Sequence, residues 1–155
     1  MSQEEFVEAL GAIFEETPAI AEQTWHCKPF TDFTDLYQKM ITIVNAMTQP
    51  QQLALIRSHP DLGSKTKMAE ASVQEQSGLG LNRLTPDEYA HFQERNQSYK
   101  ARFGFPFIVA VKNHTKASIL EAFDRRLQSS FETEITEALT EISEIARFRL
   151  RDLIV

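Results

Sequence analysis

The sequence predicts an all-α protein, a single compact helical domain of about seven to nine helices that covers residues 1–155. Apolar residues recur every three or four positions along nearly the whole chain, which is the spacing of one helix face. Residues typical of helix starts precede several of these stretches. The one strand-like run, residues 107–111, has no second run to pair with, so we interpret it as an extended connection or a buried helical turn. A chain of 155 residues with 42% hydrophobic residues can also bury a substantial core.

The N-terminal half contains three apolar stripes at helical spacing. They consist of Phe6, Leu10 and Phe14, of Phe33, Leu36, Tyr37, Met40, Ile41 and Val44, and of Leu53, Leu55 and Ile56. The third helix is expected to end at residue 58, because Pro60 disfavours helical backbone at the position before it. His59 is therefore expected to lie in an extended turn that directly follows this helix.

The C-terminal half contains three further helices. Residues 85–88 read Thr-Pro-Asp-Glu, the pattern of a capping residue, a first helical position and a side chain that bonds back to the cap. This helix is expected to stop near Gly104. Thr115 can cap the next helix, and the last one runs from about residue 131 to residue 153. Residues 77–82, which contain two glycines, are predicted to form a loop between helices.

Composition limits the classes of partner. The formal net charge of −6 and the lack of a basic stripe disfavour nucleic-acid binding. No apolar run approaches the ~20 residues of a membrane span. The four His and the single Cys do not stand at metal-ligand spacing, so we expect no metal site. Cys27 alone cannot form an internal disulfide, and the sequence shows no leader for export, which together favour a cytoplasmic location.

His59 and Glu75 are candidates for a proton-transfer pair. Pro60 restricts the backbone before it, so the imidazole of His59 is held in a defined position. Ser72, Glu75 and Gln76 stand at positions i, i+3 and i+4, so on a helix they share one face and can contact the same small ligand. From the residues alone, two structural roles stay open. His59 can simply pack at a helix end, and the three polar side chains can form a solvated face.

Arg149 occupies an unusual position in the last predicted helix. The apolar stripe of that helix consists of Phe131, Ile135, Ala138, Ile142 and Ile145. A step of ~100° per residue places Arg149 at the centre of this stripe. A guanidinium there has to find an anion, because a buried charge is costly unless it is paired. The anion is either a carboxylate of the protein, which is the commoner solution, or a carboxylate of a bound substrate.

Residues 102–108, which read Arg-Phe-Gly-Phe-Pro-Phe-Ile, combine a glycine, a proline and three phenylalanines. Such irregular backbone leaves amide and carbonyl groups unpaired by regular structure. These groups can bind the edge of a urea-like or imide-like ligand while the rings cover its face. A connector that only fills the core explains the same residues equally well.

Four blocks in this order resemble one known family. They are residues 59–63 (His-Pro-Asp-Leu-Gly), 72–76 (Ser-Val-Gln-Glu-Gln), 104–108 (Gly-Phe-Pro-Phe-Ile) and 149–153 (Arg-Leu-Arg-Asp-Leu). Over nearly its whole length, the chain resembles the 2-oxo-4-hydroxy-4-carboxy-5-ureidoimidazoline (OHCU) decarboxylases of urate breakdown. The resemblance implies an all-helical enzyme, commonly a homodimer. It also implies that the enzyme converts OHCU to (S)-allantoin and CO2 without a metal or organic cofactor.

The resemblance implies site residues as well. His59 matches the catalytic histidine and Glu75 its paired carboxylate. The residues implied to contact the small anionic ureidoimidazoline substrate are Pro60, Ser72, Gln76, Gly104, Phe105, Phe107, Ile108 and Arg149. In this interpretation His59 protonates one face of a planar intermediate and so sets the stereocentre. The ordinary histidine pKa of ~6.5 suits such a role.

Two other functions predict different structures. A helical protein-interaction module with a Phe-rich groove predicts that His59 and Glu75 lie far apart or exposed, whereas the enzyme needs both to face one pocket. A metal-dependent hydrolase needs a cluster of metal ligands, which the sequence does not show.

Overall fold

The computed structural model describes residues 2–15, 17–62 and 70–154, without the side chains of residues 70–73, 82 and 154. Within this part of the chain the backbone forms eight α-helices, two short 3-10 turns and no strand. The helices are α1 (Gln3–Leu10), α2 (Ala19–Trp25), α3 (Phe33–Ala46), α4 (Gln49–Arg57), α5 (Glu70–Gly78), α6 (Pro86–Phe103), α7 (Lys116–Arg126) and α8 (Phe131–Ile154), and the 3-10 turns are Leu81–Arg83 and Val111–Asn113. The predicted all-α fold class is confirmed.

Capping side chains define the helix starts that the sequence predicts. At the start of α6, the Thr85 hydroxyl accepts a hydrogen bond from the Glu88 amide at 3.1 Å. The Glu88 carboxylate accepts one from the Thr85 amide at 3.0 Å. The same helix ends at Gly104, whose left-handed φ of +78° is one that residues with a side chain rarely adopt. Thr115 caps α7 as predicted.

Two segments differ from the prediction. The sequence pattern does not reveal α2, because this helix has only seven residues and no capping side chain at its start. Residues 77 and 78 were expected in a loop, but they form the last turn of α5. The chain turns only at Gly80, which has a left-handed φ of +82°, and Leu81–Arg83 then forms a 3-10 turn.

The core lies between α8 and the helices that pack against it. α8 contacts α3 and α4, and the first three helices pack one after another along the chain. Aromatic rings extend this core toward α6 and α7. Phe107 stacks on Phe123 with ring centroids 3.8 Å apart, and Tyr99 meets Phe107 edge-on at 5.3 Å.

Residues 105–110 connect α6 to the second 3-10 turn in an extended conformation, and all six are buried. As the sequence indicated, the apolar run that begins at residue 107 is not a strand. The segment brings backbone without regular secondary structure into the core, where its polar groups need partners. None of the described helices is both long enough and apolar enough to cross a membrane.

Candidate active site

His59 lies in the turn after α4, next to the C-cap residue Ser58, and is 8% exposed. Its Nδ1 atom lies 3.0 Å from the carbonyl oxygen of Leu55. Because a carbonyl oxygen can only accept, we assign the proton of the neutral ring to Nδ1, which leaves Nε2 unprotonated. Burial lowers the pKa of His59 to about 4, although the bond to Leu55 and the charge of Glu15 act in the opposite direction. The imidazole is therefore neutral at pH 7, and its Nε2 atom can accept a proton.

Arg149 forms a two-pronged ion pair with Glu75. Its Nε atom donates to Oε2 and its Nη2 atom to Oε1, both at 2.9 Å. The two side chains are 6% and 14% exposed. Burial by itself would lower the pKa of Arg149, but the hydrogen bond and charge of Glu75, with the charge of Glu15, outweigh it and raise the pKa. Of the two kinds of anion that the sequence left open, the structure shows carboxylates of the protein.

Glu15 is a member of this cluster that the sequence did not indicate. Its carboxylate lies 3.2 Å from Nη2 of Arg149, and its side chain is 1% exposed. The hydroxyls of Thr17 and Ser58 each donate to the Glu15 carbonyl at 2.8 Å, which fixes this turn after α1. Two carboxylates thus share one guanidinium, and the neutral His59 adds no charge. The sequence pointed to Glu15 only indirectly. The buried position of Arg149 required an anionic partner, but no local sequence pattern identified Glu15 as that partner.

His59, Glu75 and Arg149 line one cleft, and the space in and directly in front of it, which includes open solvent, is about 350 Å³. Its lining residues are His59, Pro60, Leu62, Glu75, Gln76, Phe107, Ile108, Val109, Val111, Ile145 and Arg149. Seven of the ten predicted site residues belong to this set, and they come from the turn after α4, from α5 and α8, and from the segment 105–110. The interaction module predicted that His59 and Glu75 lie far apart or exposed, but both face the same cleft and are largely buried.

Two predicted residues, Gly104 and Phe105, are not among the described residues that line the cleft, and the third that is missing from the set, Ser72, is not described in full. The Gly104 carbonyl accepts a hydrogen bond from Nε of Arg57 at 3.1 Å. The Phe105 ring packs against Tyr99 and Phe103. Ser72 belongs to the backbone of α5, but its side chain lies outside the described residues. The roles of all ten residues in binding or catalysis remain predictions.

Residues 107–109 line the cleft, and their backbone amides are hydrogen-bond donors without a described acceptor. No described residue accepts a hydrogen bond from the amides of Phe107, Ile108 or Val109. A buried amide without an acceptor is costly, so these donors are suited to an oxygen atom of a ligand. This arrangement matches the expectation that irregular backbone here has unpaired amides.

The described residues contain no group of three or more His, Cys, Asp or Glu side chains arranged to hold a metal ion. The residues that line the cleft supply a neutral imidazole, a guanidinium paired with the Glu75 carboxylate, and the backbone of residues 107–109. These groups can move a proton at Nε2 of His59 and hold a small polar molecule in a fixed orientation.

Comparisons with known proteins agree with one another. The family model described as OHCU decarboxylase matches residues 1–151. A 2-oxo-4-hydroxy-4-carboxy-5-ureidoimidazoline decarboxylase of Halalkalicoccus jeotgali is 42% identical over 153 residues, which cover 99% of this chain and 87% of that protein. The uric acid degradation bifunctional protein of Bacillus subtilis is 47% identical over 154 residues; these cover 99% of this chain but only 31% of that protein. A crystal structure of (S)-allantoin synthase matches with a TM-score of 0.80 at 30% identity, over 99% of this chain and 51% of that one.

Proposed function

This chain belongs to the OHCU decarboxylase family, and from that membership we propose that it is a carboxy-lyase that converts OHCU to (S)-allantoin in urate degradation. The relative from Halalkalicoccus jeotgali, which the chain matches over most of its length, is named for this activity. The relative from Bacillus subtilis is named for uric acid degradation.

The observation that carries this proposal is the cleft that joins His59 with the Arg149–Glu75 pair and the amides of residues 107–109. A decarboxylation with stereocontrol needs one group that moves protons and other groups that hold the substrate in a single orientation. The cleft combines both kinds of group, and the neutral imidazole can take up a proton at pH 7.

The substrate supplies its own electron sink. Its carboxylate is bonded to ring carbon C4, next to the C5=N1 double bond. When CO2 leaves, the electrons of the broken bond form a C4=C5 double bond, and the former C=N pair moves to N1, which takes up one proton. The proton of the C4 hydroxyl then moves to C5, so that C4 becomes a carbonyl and C5 the stereocentre of allantoin.

His59 is proposed to carry this proton from the C4 hydroxyl to C5. Its Nε2 atom accepts the proton and returns it to one face of the planar intermediate, which determines the configuration. The low pKa of about 4 supports the return step, because it makes the imidazolium a stronger acid than an ordinary one. Acid–base catalysis of this kind contributes roughly 10²–10⁴-fold to a rate.

The other residues are proposed to hold the substrate. Glu75 and Gln76 are assigned to the ring, and Arg149 with the amides of residues 107 and 108 to the anionic and ureido groups. Glu75 already occupies two donors of Arg149, so the anionic group has to compete for Nη2 or bind Nη1, whose contacts with the carbonyls of Ala12 and Ile13 are long at 3.4 Å. The further predicted contacts are Pro60, Ser72, Gly104 and Phe105.

We also propose that the enzyme is a cytoplasmic homodimer that acts without a metal or organic cofactor. This part rests on the family resemblance. Light scattering coupled to size-exclusion chromatography measures the mass of the assembly directly, and a mass of one chain would contradict the dimer.

The proposed activity can be tested on OHCU generated enzymatically from urate. Circular dichroism follows the formation of optically active allantoin, which a reaction without stereocontrol does not produce. We expect the purified protein to speed this signal and the His59→Gln variant to lose most of the effect. An unchanged rate with optically inactive product in the presence of the wild-type protein would overturn the proposal.

A further inference from the structure

A buried ion pair lies next to the extended segment 105–110, and neither of its residues lines the cleft. Arg126 on α7 and Glu134 on α8 are both 1% exposed, and the Nε atom of Arg126 donates to Oε1 of Glu134 at 2.8 Å. The Tyr99 hydroxyl donates to the same oxygen at 2.5 Å. Burial and this hydrogen bond raise the pKa of Tyr99, so its phenol stays neutral.

Stability alone is a weak reason for such a pair. The cost of removing two charges from water offsets most of their attraction, and apolar residues of similar volume often stabilise a core as well or better. Arg126 has another contact, however. Its Nη1 atom donates to the carbonyl oxygen of Ile108 at 2.5 Å, a charge-assisted hydrogen bond. The guanidinium also lies 4.4 Å from the centre of the Phe107 ring. The pair is therefore attached to the segment that lines the cleft.

The bond to Ile108 fixes the orientation of one peptide group. The Ile108 carbonyl and the Val109 amide belong to the same trans peptide, in which the C=O and N–H bonds point in opposite directions. Since Arg126 holds the carbonyl, the Val109 amide points away from Arg126. Val109 is one of the residues that line the cleft, and no described residue accepts a hydrogen bond from its amide.

We propose that Arg126, held by Glu134, is a positioning residue that fixes the Ile108–Val109 peptide so that the Val109 amide faces the substrate. The inference rests on the proposed function, because the amide is taken to donate to an oxygen atom of the ureidoimidazoline. Arg126 acts only through the Ile108 carbonyl and takes no part in the proton transfer.

The test removes the buried charges without leaving one of them unpaired. The variant Arg126→Met/Glu134→Leu/Tyr99→Phe replaces the cluster with apolar side chains of similar size. Its matched control is Arg125→Met/Glu137→Leu, which removes an exposed ion pair of 3.3 Å between the same two helices. A second variant, Arg126→Lys, keeps a positive charge beside Glu134 but loses the fork of donors that reaches Glu134 and Ile108 together.

Three quantities are measured on each protein: the melting temperature, the 13C chemical shift of the Ile108 carbonyl carbon with the 15N shift of the Val109 amide, and kcat and KM with OHCU. In the triple variant we expect a cooperative unfolding transition, a changed Ile108 carbonyl shift, and a loss of kcat/KM of about tenfold, chiefly through KM. We expect a similar kinetic loss in Arg126→Lys and no kinetic change in the control.

Two results would overturn the inference. One is wild-type kcat/KM in a folded triple variant, or in Arg126→Lys if the triple variant does not fold. The other is an Ile108 carbonyl shift that does not respond to the removal of Arg126. These results are separate from the proposed function, which fails only if the wild-type protein does not accelerate decarboxylation.

Discussion

Arg149 and Glu75 are 74 residues apart in the chain and meet through two parallel hydrogen bonds of equal length, 2.9 Å. Such a pair fixes the plane of the carboxylate relative to the guanidinium. Glu75 on α5 is therefore held in place by α8, and Glu15 contacts the same guanidinium from the turn after α1. The position of Arg149, which lines the cleft, therefore depends on contacts from three parts of the chain: the turn after α1, α5 and α8 itself.

The first prediction concerns the proton carrier. His59→Gln and His59→Ala should keep the helical fold, because the core residues are unchanged. In His59→Gln the side-chain amide can also still donate to the Leu55 carbonyl. The loss of Nε2 should lower kcat/KM by roughly 10²–10⁴-fold. Far-ultraviolet circular dichroism checks the fold, and the allantoin assay measures the rate. Full activity in His59→Gln would remove this residue from the mechanism.

The lowered pKa of the buried His59 also predicts how the free energy of unfolding depends on pH. The pKa of this residue is about 4 in the folded protein, against ~6.5 in an unfolded chain. Between these values only the unfolded state binds the proton. The contribution of His59 to the free energy of unfolding is thus fully present above pH ~6.5 and is lost as the pH falls toward 4, by on the order of 3 kcal/mol.

Urea unfolding at pH 7 and pH 4.5 measures this effect when wild type and His59→Gln are compared. The variant lacks the titrating group, so its stability should fall less than that of the wild type over this range. A difference in stability between the two proteins that does not change with pH would contradict the prediction.

Arg149 should affect both stability and binding. Arg149→Ala leaves the Glu15 and Glu75 carboxylates, which are 1% and 14% exposed, without their cation, and should cost roughly 3–5 kcal/mol. Arg149→Lys keeps the charge but not the planar fork, so we expect a raised KM in the folded variant. Melting temperature and KM measured on the same variants separate the two effects. A normal KM with a much lower melting temperature would restrict Arg149 to a structural role.

Glu75→Gln should impair turnover more than binding if the ionised carboxylate stabilises charge during the reaction. The amide group also places an N–H donor opposite the donors of Arg149, in place of an acceptor. Glu144→Gln is a suitable control, since Glu144 pairs with Arg147 in a half-buried ion pair on α8, and neither residue lines the cleft. Equal kcat values in Glu75→Gln and the control would show that the negative charge of Glu75 is not required.

Glu15→Gln should change the pH profile of the reaction. The negative charge of Glu15 favours protonated His59, whereas Arg149 disfavours it, so removal of this charge should lower the pKa of His59 further. The acid limb of kcat/KM reports the pKa of the essential base in the free enzyme. We expect this limb to move to lower pH in Glu15→Gln, and a limb that stays in place or moves up would contradict the electrostatic role of Glu15.

Local sequence signals predicted the parts of the structure that depend on neighbouring residues. The capping pattern of residues 85–88 located the start of α6, and Pro60 located the turn at His59. Helical periodicity placed Arg149 on a buried face, and it is 6% exposed in the structure. Each of these signals depends only on residues close together in the chain, so it can be recognised without knowledge of the tertiary structure.

Other features depend on packing between distant segments. The Arg149–Glu15 contact joins residues 134 positions apart, and nothing in the turn after α1 identifies Glu15 as the partner. The sequence places Gly104 and Phe105 with Phe107 in one predicted binding segment, because nothing in the local pattern separates them. Only the tertiary structure shows that Phe107 lines the cleft and that Gly104 and Phe105 are not among its lining residues.

The separation of these partners along the chain has a consequence for folding. A contact that closes a loop of 134 residues requires a large loss of chain entropy, and it forms only when most of the intervening structure already favours it. The complete cluster of Arg149, Glu75 and Glu15 is therefore absent from any partly folded state that lacks either the N-terminal turn or α8. We therefore expect a competent site to form only after the N-terminal turn, α5 and α8 have packed together.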